Sequence, residues 1–268
     1  MYTGISIAKL NDHVLNEDSV WASEVCIAVS DGAGGCGVYA NEWSAYLIEH
    51  LDKDKPIVSF CQLDEWIDGI WERFYSLHEE KAKKGDGNLL SKFYKEGSCA
   101  TIAAAWRLDN AHCAWMAYGD SVVFHYCGRT GVLEHSFTKL SDFSNPPMLV
   151  SCNDPLDEQG FYSGEFCIDN TSVVFVASDA LSHYILMMYE LYHCMDYREE
   201  LAEEYLKASG NAQLLHVAEY YICTDFSAEI LEPLLQAAES EQNFMTFMGE
   251  LFAKGLVDMD DYSLAFMR

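Results

Sequence analysis

Acidic residues stand at the ends of apolar segments throughout this 268-residue sequence. Asp31 ends the apolar run VCIAVS, Asp120 follows CAWMAYG, and Asp179 follows VVFVAS. Carboxylates gathered at one sheet edge would repel one another unless a cation neutralised them, and oxygen ligands of this kind select Mg²⁺ or Mn²⁺ over zinc. For any single aspartate, a turn or cap role is the simpler interpretation. The full set that indicates a metal site is Glu17, Asp18, Asp31, Asp120, Asp179, Asp260 and Asp261.

A glycine-rich turn follows Asp31 directly. Gly32, Gly34 and Gly37 fit the G-x-G-x-x-G spacing of dinucleotide-binding proteins. A metal site is the second interpretation, because glycines let the backbone approach an ion closely and a carbonyl can then serve as a ligand. A plain tight turn is the third. The order of the remaining elements has to decide among these three.

The predicted elements do not follow the order of a dinucleotide-binding fold. We expect strands at 3–9 and 22–30 and helices over 39–51 and 63–84, the second with apolar side chains at helical spacing. Residues 98–138 then contain four apolar segments joined by short turns, which is typical of an antiparallel meander. A dinucleotide fold instead alternates strands and helices around a parallel sheet. The dinucleotide interpretation is therefore disfavoured.

The second half of the sequence contains a predicted loop and a long helical stretch. Residues 141–164 hold three of the five prolines and show no clear period, so a flap-like loop is expected there. Strands are predicted over 165–178 and 263–267, and residues 183–256 are helical in character. No internal repeat or low-complexity linker interrupts the sequence. We therefore predict one domain over 1–268, with an enlarged helical segment.

The charge balance restricts the partners. The chain carries 43 acidic and 16 basic residues, a formal net charge of −27, which repels nucleic-acid phosphates and anionic lipid. We therefore expect no nucleic-acid partner and no membrane, and no apolar run approaches the roughly 20 residues of a membrane span. Ten cysteines without a C-x-x-C pair, and the lack of a signal-peptide pattern at the N-terminus, predict reduced thiols in a cytoplasmic protein.

Six short motifs run in order along the sequence: NEDS (16–19), VSDGAGG (29–35), GSCAT (97–101), AYGDS (117–121), ASDAL (177–181) and DDYS (260–263). Together they resemble the PPM-type, protein phosphatase 2C-like, metal-dependent Ser/Thr phosphatases, in that family's order and over nearly the whole chain. The resemblance implies an α+β fold. This fold is a four-layer α/β/β/α sandwich of two antiparallel sheets flanked by helices.

The resemblance also implies a ligand set for two Mn²⁺ or Mg²⁺ ions. Asp31 would bridge both ions, with Asp179 and Asp260 on the first ion. The Gly32 carbonyl would bind the second ion, and Glu17 would act there mainly through water. In this interpretation the glycines after Asp31 bring the backbone in beside the metals.

Three positions bear on a third ion and on the metal-bound waters. Asp18 would support the metal-bound waters, and Asp120 matches a position that helps to hold a third, weaker ion. His183 stands where an aspartate often shares that third ion. The substitution weakens the expectation of a third ion.

The expected catalytic residues are Asp31, Asp18 and His13. His13 stands where the family normally carries an arginine that grips the substrate phosphate. Because a histidine is mostly neutral above its pKa of about 6.5, a phosphate contact and a surface loop role both stay open for His13. Ala33 stands where animal members often carry a histidine proposed as general acid, and single-domain bacterial members vary there.

The reaction that the resemblance implies is hydrolysis of phosphoserine or phosphothreonine in proteins by a water molecule that two metal ions activate. The partner would be a phosphoprotein substrate, a kinase or a kinase target. A nucleophilic Ser/His/Asp motif and a Cys-x₅-Arg phosphatase loop are both absent from the sequence, which agrees with a water nucleophile. Two alternatives remain: a small-molecule phosphate ester hydrolase of the same fold, suggested by the missing arginine, and a non-catalytic signalling or binding relative.

Overall fold

The computed structural model describes residues 1–10, 14–85, 87–194 and 199–268, and within this last range the side chains from 204 onward. Its strands are β1 (Tyr2–Ile7), β2 (Ser19–Ala22), β3 (Cys26–Ser30), β4 (Cys99–Ala100), β5 (Ile102–Arg107), β6 (His112–Tyr118), β7 (Val122–Cys127), β8 (Val132–His135), β9 (Val150–Ser151), β10 (Phe161–Cys167), β11 (Ser172–Ala177) and β12 (Tyr262–Met267). Its helices are α1 (Ala40–His50), α2 (Phe60–Lys83), α3 (Gly87–Glu96), α4 (Asp179–Cys194), α5 (Glu199–Ala208), α6 (Ala212–Ala218), α7 (Glu232–Ala237) and α8 (Glu241–Ala253).

The strands form two five-stranded antiparallel sheets. The first sheet has the order β1-β12-β11-β7-β8 and the second has the order β10-β6-β5-β3-β2, while β4 and β9 pair as a short ribbon. Ile7 at the end of β1 lies opposite Tyr262 at the start of β12. The loop after β1 therefore meets the segment before β12, which carries the DDYS motif.

Alternate side chains of the central strands serve different layers. In β3, Ile27 and Val29 pack between the two sheets, whereas Cys26 and Ala28 pack against helices. Because both faces are covered, these strands are apolar along their whole length. Helices α1 to α3 cover the second sheet, and α4, α6, α7 and α8 cover the first. The result is the predicted four-layer α/β/β/α sandwich.

The structure differs from the sequence-based expectations in three segments. The strand predicted over 22–30 is two strands, because Ser23 turns the chain by accepting the Cys26 N–H on its hydroxyl at 3.0 Å. Residues 161–164 of the predicted loop belong to β10, where they pair with β6 as an edge strand whose exposed side chains hide its pattern. Helix α3 was not predicted, because it is short and its few apolar residues directly follow a stretch rich in turn-forming residues. No helix among the described residues is both long and apolar enough to cross a membrane.

Candidate active site

Asp31 leaves the end of β3 and is fixed by the GSCAT motif. Its carbonyl accepts the Thr101 N–H at 2.8 Å, and its own N–H donates to the Thr101 hydroxyl at 3.3 Å. The same hydroxyl lies 2.7 Å from the hydroxyl of Ser121, the neighbour of Asp120. Three of the motifs therefore meet through one threonine, which places Asp31 and Asp120 at the same edge of the sandwich.

Asp261, the second aspartate of DDYS, joins two distant loops. It is buried, its Oδ1 accepts the Lys9 N–H at 2.7 Å, and its Oδ2 accepts the Glu17 N–H at 2.7 Å. Both carboxylate oxygens are thus used to hold backbone. Asp261 therefore positions Glu17 beside Asp260, a role that the sequence patterns did not identify.

The glycine-rich turn makes room for Glu17 and for the first helix. A methyl group at Gly34 would overlap the Glu17 carboxylate, and one at Gly32 would overlap the Glu17 carbonyl and lie 2.8 Å from the Ala40 carbonyl oxygen. The Gly32 carbonyl accepts the Gly34 N–H at 3.1 Å. The glycines are thus explained by close packing around an acidic residue, and no phosphate-binding helix of a parallel sheet follows them.

Asp18 is a buried carboxylate that its surroundings leave unpaired. The residue is only 8% exposed, and within the described part of the chain neither carboxylate oxygen has a hydrogen-bond partner. Its backbone is fixed, because its N–H donates to the Asn16 side chain at 3.0 Å. Buried polar atoms without partners are rare in folded proteins and indicate a bound water or ion.

The electrostatics of the site show that its carboxyl groups lie within reach of one another. Burial raises the pKa of Asp18 to about 8, that of Asp120 to about 7 and that of Asp179 to about 6, with negative charges nearby adding to the effect. Burial also raises the pKa of Asp31 well above its usual range, as do the charges of Asp18, Asp179 and Asp120. Burial and mutual repulsion therefore disfavour the ionised form of these carboxyl groups. A bound cation would favour the ionised form and lower their pKa values.

The candidate ligands suit a hard divalent ion by type. Glu17, Asp31, Asp120, Asp179 and Asp260 supply carboxylate oxygens, the donor class that Mg²⁺ and Mn²⁺ prefer. As the described side chains stand, no group of three or more His, Cys, Asp or Glu is arranged to hold a metal ion. The type of the donor atoms and the unpaired Asp18 nevertheless fit such an ion. To bind it, the carboxylate side chains would have to move closer together.

The remaining predicted site residues have different outcomes. His13 lies outside the described residues. Ala33 donates its N–H to the Cys99 carbonyl at 2.9 Å and offers only a methyl side chain. His183 Nε2 accepts a hydrogen bond of 2.8 Å from the Asn211 amide nitrogen, and burial lowers the pKa of His183.

A cavity of about 260 Å³ opens beside the carboxylates. Asp179 and Asp260 line the cavity, and Phe143 from the segment before β9 lines it as well. His183 on α4 and Asn211 before α6 also line it, so residues of the helical region lie beside the carboxylates.

Lys9 is the residue at this site that sequence reasoning missed. Its Nζ lies 2.8 Å from Asp260 Oδ1, and its side chain is 30% exposed. Burial lowers the pKa of Lys9, but the hydrogen bond to Asp260 and the charges of Asp261 and Glu17 outweigh it, so the pKa is raised overall.

Several solved structures share this fold, and bacterial Ser/Thr phosphatases are among them. PppA of Pseudomonas aeruginosa, described as a key regulatory component of its T6SS, is 14% identical with a TM-score of 0.53, over 99% of this chain and 96% of that one. The phosphatase PstP/Ppp of Mycobacterium tuberculosis is 16% identical with a TM-score of 0.51, over 99% and 97%. The PstP catalytic domain in complex with two manganese ions is 17% identical with a TM-score of 0.50, over 99% and 96%.

No protein-family model and no curated protein sequence matches the chain. At identities of 14–17%, the likeness to the solved structures is one of fold. The chain thus has the fold of the PPM-type Ser/Thr phosphatases, and the resemblance in the six motifs is confirmed at that level.

Proposed function

We propose that the protein is a Mn²⁺- or Mg²⁺-dependent phosphatase that hydrolyses phosphoserine or phosphothreonine in proteins. One observation carries the proposal: a set of partly buried carboxylates at the strand ends, with the buried and unpaired Asp18 among them, in the fold of such phosphatases. A buried cluster of like charges is costly unless its occupant is a cation. Phosphate ester hydrolysis is the chemistry that two divalent ions serve well.

The ligand assignment extends the sequence-based one. Asp31 would bridge two ions, Asp179 and Asp260 would complete the first position, and the Gly32 carbonyl and Glu17 would serve the second. Asp120 would hold a weaker third ion. When bound, the ions would supply a water nucleophile at neutral pH and neutralise the phosphoryl oxygens.

The protein's own residues prepare the reaction by position and proton affinity. Asp261 fixes the backbone of Glu17, and Thr101 fixes that of Asp31. Two of the proposed ligands are therefore held in position before any ion binds. Asp18, whose two carboxylate oxygens have no hydrogen-bond partner among the described residues, would accept a hydrogen bond from a water molecule held in the site.

The decisive experiment measures p-nitrophenyl phosphate hydrolysis against Mn²⁺ concentration, with Asp31→Asn alongside the wild type. We expect saturable, metal-dependent turnover that Asp31→Asn lowers by about 10³-fold or more, because one bridging ligand serves both ions. Glu239→Gln, at an exposed acidic residue between α7 and α8, is the matched control and should retain full activity.

A phosphopeptide and a small phosphate ester, assayed at the same Mn²⁺ concentration, identify the substrate class. Preference for the phosphopeptide supports a protein phosphatase, whereas preference for the small ester contradicts it. Folded wild-type protein without metal-dependent turnover on either substrate would contradict the enzyme assignment itself.

A further inference from the structure

Lys9 is held at the carboxylate cluster by two contacts. β1 ends at Ile7, and the Lys9 N–H then donates to Asp261 Oδ1 at 2.7 Å. The side chain continues to Asp260, where Nζ lies 2.8 Å from Oδ1. Its backbone is thus fixed by one aspartate and its ammonium by the next one along the chain.

Asp260 holds the Lys9 ammonium with a carboxylate whose own orientation is fixed. Its Oδ1 also accepts the Asp261 N–H at 2.9 Å, which orients the carboxylate plane. An ammonium has three donors, of which Asp260 accepts one. The Lys9 side chain is 30% exposed and its partner Asp260 lines the cavity, so the remaining donors can be reached from solvent beside the carboxylates.

The positive charge of Lys9 acts on two further carboxyl groups of the site. It lowers the pKa of Glu17 and that of Asp179, against burial and neighbouring carboxylates that raise both. A phosphate ester dianion that approaches these carboxylates meets strong repulsion, and a fixed cation at the mouth offsets that repulsion. Charge-assisted hydrogen bonds from ammonium groups are a common means of holding phosphate.

We propose that Lys9 is a substrate-binding residue whose ammonium contacts the phosphoryl oxygens of the bound substrate while Asp260 holds it in place. The proposal rests on the proposed phosphatase function and gives that site a phosphate contact. Asp260 then has two tasks: Oδ1 orients Lys9, and Oδ2 is the oxygen expected to face an ion. No covalent step is assigned to Lys9.

The contact is with phosphate, so its loss must affect every phosphate ligand alike. Lys9→Met keeps the length and apolar body of the side chain and removes the charge. We expect it to raise KM about 10- to 100-fold for both p-nitrophenyl phosphate and a phosphopeptide, since one charge-assisted hydrogen bond contributes about 1.5–3 kcal/mol. The inhibition constant of inorganic phosphate should rise by the same factor.

Two further variants serve as controls. Lys9→Arg keeps the charge and should stay within about threefold of the wild type. Lys83→Met removes an exposed lysine that pairs with Glu79 and Glu80 on α2, and should leave all constants unchanged. Calorimetric titration with Mn²⁺ alone provides a readout that does not depend on turnover, and Lys9→Met should bind the ion at least as tightly as the wild type, so that its weaker phosphate binding cannot come from a lost metal.

The outcomes separate the two proposals. Active wild type with unchanged phosphate constants in Lys9→Met overturns the role of Lys9 and leaves the phosphatase intact. A KM that rises for the phosphopeptide alone also overturns it, because Lys9 would then contact the peptide. Tighter Mn²⁺ binding by Lys9→Met with unchanged phosphate inhibition would make Lys9 a counter-ion to Asp260 instead. Wild type that binds no Mn²⁺ and shows no turnover overturns the phosphatase proposal itself.

Discussion

Two buried polar clusters lie at opposite ends of the same strands, and they differ in how well their atoms are paired. At the end away from the carboxylates, His125 is 2% exposed, with Nδ1 2.8 Å from Glu134 Oε2 and Nε2 2.9 Å from the Ser172 hydroxyl. The Ser172 hydroxyl also accepts the Asp169 N–H at 2.9 Å. At the other end, Asp18 is equally enclosed but has no hydrogen-bond partner among the described residues.

The difference shows that residue types alone do not identify a reactive site. Serine, histidine and glutamate in a row have the composition of a hydrolase triad. Here His125 and the Ser172 hydroxyl both have hydrogen-bond partners, and Ser172 is only 9% exposed. This cluster therefore contributes to stability. The aspartates at the opposite end have the composition of ordinary turns, yet one of them, Asp18, is buried with no hydrogen-bond partner among the described residues, which fits a bound water or ion. The pairing of buried polar atoms separates the two clusters.

The largest effect that would test this comparison is expected from Asp18→Asn. Removing the charge should lower Mn²⁺-dependent turnover about 10- to 100-fold, as loss of a group that orients metal-bound water commonly does. The same change should raise the unfolding temperature of the metal-free protein at pH 8, because an unpaired buried charge disappears. Assays with Mn²⁺ and thermal unfolding with EDTA check the two halves, and a metal-free protein that became less stable would contradict them.

The second prediction concerns pH. The raised pKa values of Asp18, Asp120 and Asp179, about 8, 7 and 6, lie above the unfolded value of about 3.9, so the folded state binds more protons across this window. The metal-free protein should therefore lose stability as the pH rises from about 5 to 8. Added Mn²⁺ should stabilise most at pH 8, since ligands must be deprotonated. Unfolding temperatures at both pH values test this, and a metal-free protein that gained stability with pH would refute it.

The third prediction concerns the paired cluster. His125→Leu removes the hydrogen bonds of His125 to the Ser172 hydroxyl and to Glu134, and should lower the free energy of unfolding by about 1–3 kcal/mol. Turnover per folded molecule should stay within about twofold of the wild type. Urea denaturation and the Mn²⁺-dependent assay measure the two quantities. A loss of turnover in a stably folded His125→Leu protein would show that the paired cluster takes part in the reaction.

The smallest effect is expected at the rim of the paired cluster. Arg129 forms an ion pair with Asp169 at 2.5 Å, with the arginine side chain 72% exposed. Exposed pairs contribute little, so Arg129→Met should change the free energy of unfolding by no more than about 0.5 kcal/mol. A larger loss in urea denaturation would mean that Asp169, which also holds Ser172, depends on this pair for its position.

Much of the fold is predictable because its longer elements carry regular patterns. The helices expected over 39–51 and 63–84 correspond to Ala40–His50 and Phe60–Lys83. The turn between β2 and β3 is harder to predict, because it depends on one serine hydroxyl rather than on glycine or proline. The edge strand β10 is equally hard, since few of its side chains are buried.

The candidate site is predictable where residue types carry the signal, and not where tertiary position does. Asp31 and Asp179 stand out because each directly follows an apolar run. Lys9 and Asp261 acquire their roles only through the register of β1 and β12, which no local pattern specifies. The unpaired state of Asp18 likewise depends on burial by segments far away in the sequence.

The clamp formed by Asp261 also determines when the site can exist. Asp261 holds the backbone of Glu17 across 244 residues of sequence, in the segment just before the last strand. Synthesis proceeds from the N-terminus, so Glu17 is made long before Asp261. The hydrogen bond between them can form only after nearly the whole chain has been synthesised. Closing so long a loop is slow compared with forming local helices. On the proposed function, a chain truncated before Asp260 is expected to be inactive toward phosphate esters, because the aspartate that holds the backbone of Glu17 is then missing.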